Sequence, residues 1–233
     1  MQVALLQLNS SDNPSENLAV TRGYVDQAAA RGARFILTPE VTNCVSASRP
    51  HQNEVLRRED QDETLAALRG DAARLEVWIL IGSLALKQAQ GERFVNRSLL
   101  IGPDGEIHAR YDKIHMFDVE ISETETYRES DGFRPGDRAV LTEVDGVPVG
   151  LTICYDVRFP YLYRGMSKAG AKILTVPSAF SPETGAAHWE TLLRARAIET
   201  GSFILAPAQC GSHSASRGRQ RSTHGHSLAV DPW

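Results

Sequence analysis

Residues 31–40, Arg31-Gly32-Ala33-Arg34-Phe35-Ile36-Leu37-Thr38-Pro39-Glu40, read RGARFILTPE and align without a gap on AGAKILTVPS at 169–178. Each copy places a glycine three residues ahead of a strand-like triplet, Phe35-Ile36-Leu37 or Ile173-Leu174-Thr175, and a proline two residues after it. Glycine stops a helix, a short apolar run between turn signals reads as a buried strand, and proline closes the strand. The stretch therefore predicts the end of a helix followed by a strand, twice over.

The same order extends outward from both copies. Ahead of the first stand the apolar run Val3–Leu8 and a helix from Pro14, capped by Asn13, through about Ala30, with Leu18, Val25 and Ala29 spaced for burial. Ahead of the second stand Val147–Ile153 and a helix starting near Pro160. The fold class is α/β, with two pseudo-repeated βαβ-like halves. Between them the sequence predicts a helix over Glu63–Leu75, a strand over Val77–Ile81, and strands Phe94–Ile101 and Glu106–Tyr111 about the turn Gly102-Pro103-Asp104-Gly105. Beyond the second copy, Trp189, Leu192, Leu193 and Ala197 mark the inner face of a helix Ala187–Thr200, ended by Gly201, with Glu190 and Arg194 spaced to pair.

A chain of 233 residues, 42% hydrophobic and 23% charged, can bury a substantial core in one large domain. A net charge of −4 attracts neither nucleic acid nor anionic membranes, and the basic cluster Arg217-Gly218-Arg219-Gln220-Arg221 reads as a solvated loop. The N-terminus shows no signal-peptide pattern and no apolar run long enough to span a bilayer, so the expected compartment is the cytoplasm. Cys44, Cys154 and Cys210 are odd in number and widely separated, which argues against a disulfide framework and paired-cysteine zinc sites. His224 and His226 alternate as on a strand, but nothing nearby completes a ligand set, so no metal is expected.

In α/β sheets ligands gather at the carboxyl ends of strands, where Glu40, Ser178 and Cys154 fall. Cys154 has the parity opposite to Val147, Val149, Leu151 and Ile153 and precedes a helix start, whose positive end should favour its thiolate. Lys113 continues the parity of Ile107, Ala109 and Tyr111 onto an apolar side, where an ammonium needs acidic partners. On these residues alone Cys154 is a nucleophile or a packed thiol, Lys113 is buried or lies beyond the strand, and Glu40 is a site carboxylate or a surface glutamate. Brought together they suffice for acyl transfer, with a carboxylate to take the thiol proton and an ammonium to stabilise the oxyanion.

The segments TPE at 38–40, YDKIHMFD at 111–118 and CYDVRFP at 154–160 resemble, in order and spacing, the Glu–Lys–Cys signatures of the nitrilase (carbon–nitrogen hydrolase) superfamily. ETYRES at 125–130, PSAF at 177–180, AHWETLLRARAIET at 187–200, AQCG at 208–211 and HGHS with VDPW between 224 and 233 resemble its Nit branch. The resemblance implies a four-layer α-β-β-α sandwich forming a single domain over 1–233, pairing with a second copy as a homodimer or higher homo-oligomer. It implies hydrolysis of a non-peptide amide with no metal or organic cofactor. In family terms Glu40 is the general base, Lys113 stabilises the tetrahedral intermediate, Cys154 forms a thioester, Tyr155 adds its backbone N–H to the oxyanion hole, and Glu129 orients Lys113.

Arg158 and Thr184 match positions that contact an anionic α-keto acid end, although Arg158 also reads as an ion-pair partner of Asp156. Deaminated glutathione is the first candidate substrate, an α-ketoglutaramate-like monoamide the second, and an N-carbamoyl compound a more remote one. A non-catalytic scaffold would need none of Glu40, Lys113 and Cys154 together. Relatives of this kind continue past the DPW segment, so the chain is expected to be a C-terminally truncated form of a longer protein.

Overall fold

The computed structural model describes residues 1–91, 93–122 and 125–233, and both copies of the repeated segment occupy the same place in matching units. The first unit runs β1 (Val3–Leu5), α1 (Pro14–Ala30), β2 (Phe35–Leu37), α2 (Arg49–Val55), α3 (Glu63–Leu75), β3 (Trp78–Leu86), β4 (Val95–Ile101) and β5 (Ile107–Asp112). A hairpin of β6 (Asp118–Ser122) and β7 (Glu125–Arg128) and the single turn α4 (Glu129–Gly132) follow. The second unit contains β8 (Val140–Val144), β9 (Val147–Leu151), α5 (Pro160–Lys168), β10 (Ile173–Thr175), α6 (Pro182–Thr200), β11 (Phe203–Ala206), β12 (Cys210–His213), β13 (Arg221–His224) and β14 (Leu228–Val230).

The repeat is backbone-deep. Gly32 and Gly170 have φ of 89° and 110°, the left-handed region that glycine enters freely. Gly32 N–H donates to Ala29 and Gly170 N–H to Ser167, while Arg34 and Lys172 N–H groups donate to Gln2 and Pro148. One sheet has the order β1-β2-β3-β4-β5 and the other β14-β11-β10-β9-β8. β1, β2 and β3 are parallel, as are β9, β10 and β11.

Strand parity then fixes the layers. Phe35, Leu37, Leu80 and Leu100 of the first sheet pack in one cluster with Val149, Leu151, Ile173 and Leu205 of the second, so the two sheets face each other. Ile36, Ile79, Ile81 and Ile101 point the other way, against Val25, Leu65, Leu68 and Ala72 of α1 and α3. Tyr163 and Met166 of α5 and Trp189 and Leu193 of α6 cover the outer face of the second sheet. The result is the α-β-β-α sandwich.

The predicted boundaries hold for α1 and α3, and Asn13 caps α1 by accepting from Ser15 and Glu16 N–H groups. The predicted inner face of α1 needs correction. Asn17, Thr21, Val25 and Ala28 are buried and Leu18 is half-buried, because Asn17 binds Ser11 and the Asn43 carbonyl. The third strand runs on to Leu86, and α6 starts five residues early at Pro182, where Ser181 caps it. The Glu190–Arg194 pair forms at 2.8 Å.

Candidate active site

Glu40 stands at the carboxyl end of β2, in a loop locked to β3. Thr38 Oγ1 accepts from Gly82 N–H, Val41 N–H donates to Ser83 Oγ, and Thr42 Oγ1 donates to the Pro39 carbonyl. Gly82 is obligatory here, since a Cβ on it would lie 2.0 Å from the Thr38 carbonyl oxygen and 2.5 Å from Pro177 Cβ of the other unit. Lys113 follows β5 and is 2% exposed, as its parity predicted. Its Nζ donates to Glu40 Oε1 at 2.8 Å and to Glu129 Oε1 and Oε2 at 3.0 and 2.9 Å.

Cys154 comes from the second unit and is 7% exposed. It opens a 3-10 turn, Cys154–Arg158, that separates it from α5, and its φ of 48° is costly for a residue with a Cβ. Its N–H donates to the Pro177 carbonyl at 2.9 Å. Asp156 holds this turn: fully buried, its carboxylate accepts from Tyr111 OH at 2.6 Å, Ile153 N–H at 2.8 Å, and His115 N–H and Nδ1 at 3.1 and 2.7 Å. Tyr111 and His115 flank Lys113 in the chain, so Asp156 ties the cysteine's turn to the lysine's strand end.

The expected thiolate is not the resting state. Burial pushes the Cys154 thiol well above its ordinary value and the Glu40 carboxylate beside it pushes further, against opposing pulls from Lys113 and the Ala179 N–H. The cysteine is separated from the start of α5 by its turn, which removes the helix end that was to stabilise the anion. Burial would also raise the Glu40 carboxyl, but Lys113, Cys154 and Asn96 hold it below the ordinary range. Lys113 is pushed down by desolvation and more strongly up by Glu129 and Glu40, so it stays an ammonium. The resting site is thus a thiol hydrogen-bonded to a carboxylate that is paired with an ammonium.

A cavity of about 410 Å³ opens onto these groups, lined by Glu40, Lys113, Cys154, Glu129, Tyr155 and Thr184 among others. Thr184 also belongs to the α6 cap, through its N–H and hydroxyl contacts with Ser181. Arg158 does not line the cavity and does not pair with Asp156: its Nη2 lies 3.1 Å from His188 Nδ1, with its guanidinium 5.8 and 5.7 Å from the Tyr155 and Phe180 rings. His224 and His226 stack on each other, and no described group of three or more ionisable ligands could hold a metal.

Several site residues were missed by the sequence reading. Asn96 donates to Glu40 Oε1 at 2.9 Å and Glu129 Oε1 at 3.4 Å, and the Ala179 N–H donates to Glu40 Oε2 at 2.8 Å. Cys44 is buried and also lines the cavity. The reading of 217–221 as a solvated loop holds for exposed Arg219 but omits that Arg219 and Arg221 line the cavity, Arg221 as the first residue of β13. The cluster itself was visible, but nothing local to it said which way it faces.

Residues 2–233 match the carbon-nitrogen hydrolase family. The chain is 41% identical over 236 residues to a Yersinia enterocolitica protein named deaminated glutathione amidase, covering 99% of this chain and 79% of that one. It is 38% identical to the probable hydrolase nit2 of Schizosaccharomyces pombe, covering 99% and 82%. Its backbone superposes on the Caenorhabditis elegans NitFhit crystal structure with a TM-score of 0.90 at 33% identity, over 99% of this chain and 55% of that one.

Proposed function

From the premise that this chain belongs to the carbon–nitrogen hydrolase family and is an amidase, we propose that it cleaves deaminated glutathione through a Cys154 thioester, with Glu40, Lys113 and Cys154 as the catalytic triad. The observation that carries the mechanism is the buried chain of contacts from the Cys154 thiol to Glu40 to Lys113 to Glu129. Glu40 takes the Sγ proton as sulfur attacks the amide carbonyl, so the thiolate forms only with substrate in place. Lys113 and the Tyr155 N–H stabilise the oxyanion. The C–N bond breaks, Glu40 returns the proton to nitrogen, and cysteinylglycine leaves. Water then gives a proton to Glu40 and attacks the thioester; the C–S bond breaks, the proton returns to sulfur and α-ketoglutarate departs.

The acid, base and nucleophile all come from the chain, so the reaction takes place without metal or organic cofactor. The protein acts in the cytoplasm as a homodimer or higher homo-oligomer. Tyr161 of α5 and Ile198 of α6, 87% and 65% exposed, are apolar side chains open to self-association, and none of the described helices is long and apolar enough to cross a membrane. Turnover of deaminated glutathione should exceed that of α-ketoglutaramate, and intact-protein mass spectrometry should trap one acyl adduct, absent in Cys154→Ala. Full activity in that variant sinks the mechanism, and faster turnover of α-ketoglutaramate sinks the substrate.

A further inference from the structure

The hairpin loop between β12 and β13 is pinned to the first unit on both sides of the chain. Ser216 N–H and Oγ both donate to Asp12 Oδ2 at 2.7 Å, Arg217 pairs with Glu54 at 2.8 Å, and Gly218, at φ 83°, packs on Ser48, the cap of α2. A loop so held presents Arg219 and Arg221 to the cavity that contains Cys154. Unlike Arg217, neither has a carboxylate within ion-pair distance among the described residues. Burial drives the Cys44 thiol up to about 12, and Arg221 is near enough to oppose that, which puts its charge at the Cys44 wall of the cavity.

The balance of charge there runs against that of the chain. Its formal net charge is −4, yet five cationic and three anionic described side chains line the cavity. Glu40 and Glu129, two of the anions, are engaged by Lys113. Arg219 on the anchored loop, its guanidinium 5.8 Å from the Tyr127 ring, and Arg221 at the start of β13 have no acidic partner among the described residues and so offer two cations to a carboxylate in the cavity.

We propose that Arg219 and Arg221 are specificity residues that bind a substrate carboxylate, selecting amides with an anionic end over neutral ones. This rests on the amidase reading of the same cavity and assigns to this loop the anion recognition that Arg158 was expected to perform. Deaminated glutathione has a carboxylate on each side of its scissile bond, one retained in α-ketoglutarate and one in the departing cysteinylglycine.

Calorimetric titration with α-ketoglutarate and, separately, with N-acetylcysteinylglycine tests the proposal without turnover. At least one should bind the unaltered protein, with Kd raised on the order of 10- to 100-fold in Arg219→Ala and Arg221→Ala. It should be unchanged in Arg194→Ala, which removes a surface charge on α6 paired with Glu190. The probe that responds identifies the end held. Thermal melts accompany each variant, and Arg221→Lys and exposed Arg219 keep the test decisive if Arg221→Ala unfolds. In turnover, KM for deaminated glutathione should rise while that for neutral pentanamide does not. Binding of neither probe, or affinities indifferent to both arginines, overturns the proposal. Arginine-dependent binding without cleavage of deaminated glutathione removes only the substrate assigned above.

Discussion

Lys113 is the residue on which the site's electrostatics close, because Glu40 and Glu129 are tolerable at low exposure only with an ammonium between them. Lys113→Ala should abolish turnover and cost about 3–5 kcal/mol in urea denaturation, since it strands two carboxylates together. Glu40 must be ionised to act as base, and its carboxyl is held below the ordinary value of 4.5, so kcat/KM should persist as pH falls to 4.5 and decline only below it. A pH–rate profile that breaks above 4.5 would contradict the base assignment. Strand parity and strand-closing residues made the placement of Glu40, Lys113 and Cys154 at strand ends legible, while their reading as one set came from the family resemblance. Asn96 and Asp156 were not legible, since their roles depend on partners such as Glu40, 56 residues away, and Tyr111, 45 residues away.

Elements were legible where local chemistry decides them, and less so where distant packing does. Asn13, Pro14 and Gly32 mark the ends of α1, and Asn13→Ala should cost about 1 kcal/mol by thermal melting. The same helix was misjudged in its inner face, because the loop at Ser11 and Asn43 recruits Asn17 inward and no periodicity of α1 announces that. β3 outran its predicted end for a related reason: its register slips between Ile81 and Leu84, where Gly82 lets the Thr38 and Pro39 carbonyls approach. Gly82→Ala should cost about 1–3 kcal/mol or more and lower kcat, because relief of the clash must move the loop bearing Glu40. Urea melts and single-turnover rates on the same variant check both effects.

For the whole molecule, the repeated decapeptide made the two-unit α/β plan readable, while the face-to-face docking of the sheets came from the family resemblance and not from spacing. Buried thiols leave a signature on the stability of that assembly. Burial raises Cys44 from 9.0 to about 12, so between those values the native chain keeps a proton that the unfolded chain loses, and stability falls as pH rises. In Cys44→Ala the decline in unfolding free energy between pH 9.0 and about 12 should be shallower by about 1.4 kcal/mol per pH unit, as measured by denaturant titration. The sandwich seam has a consequence for biosynthesis. Glu40 and Lys113 leave the ribosome before Cys154 does, and they meet it only when the second sheet docks on the first. A nascent or half-folded chain therefore carries an ordinary, unassisted thiol, and the acylation proposed for Cys154 becomes a coincidence signal that both halves are in place.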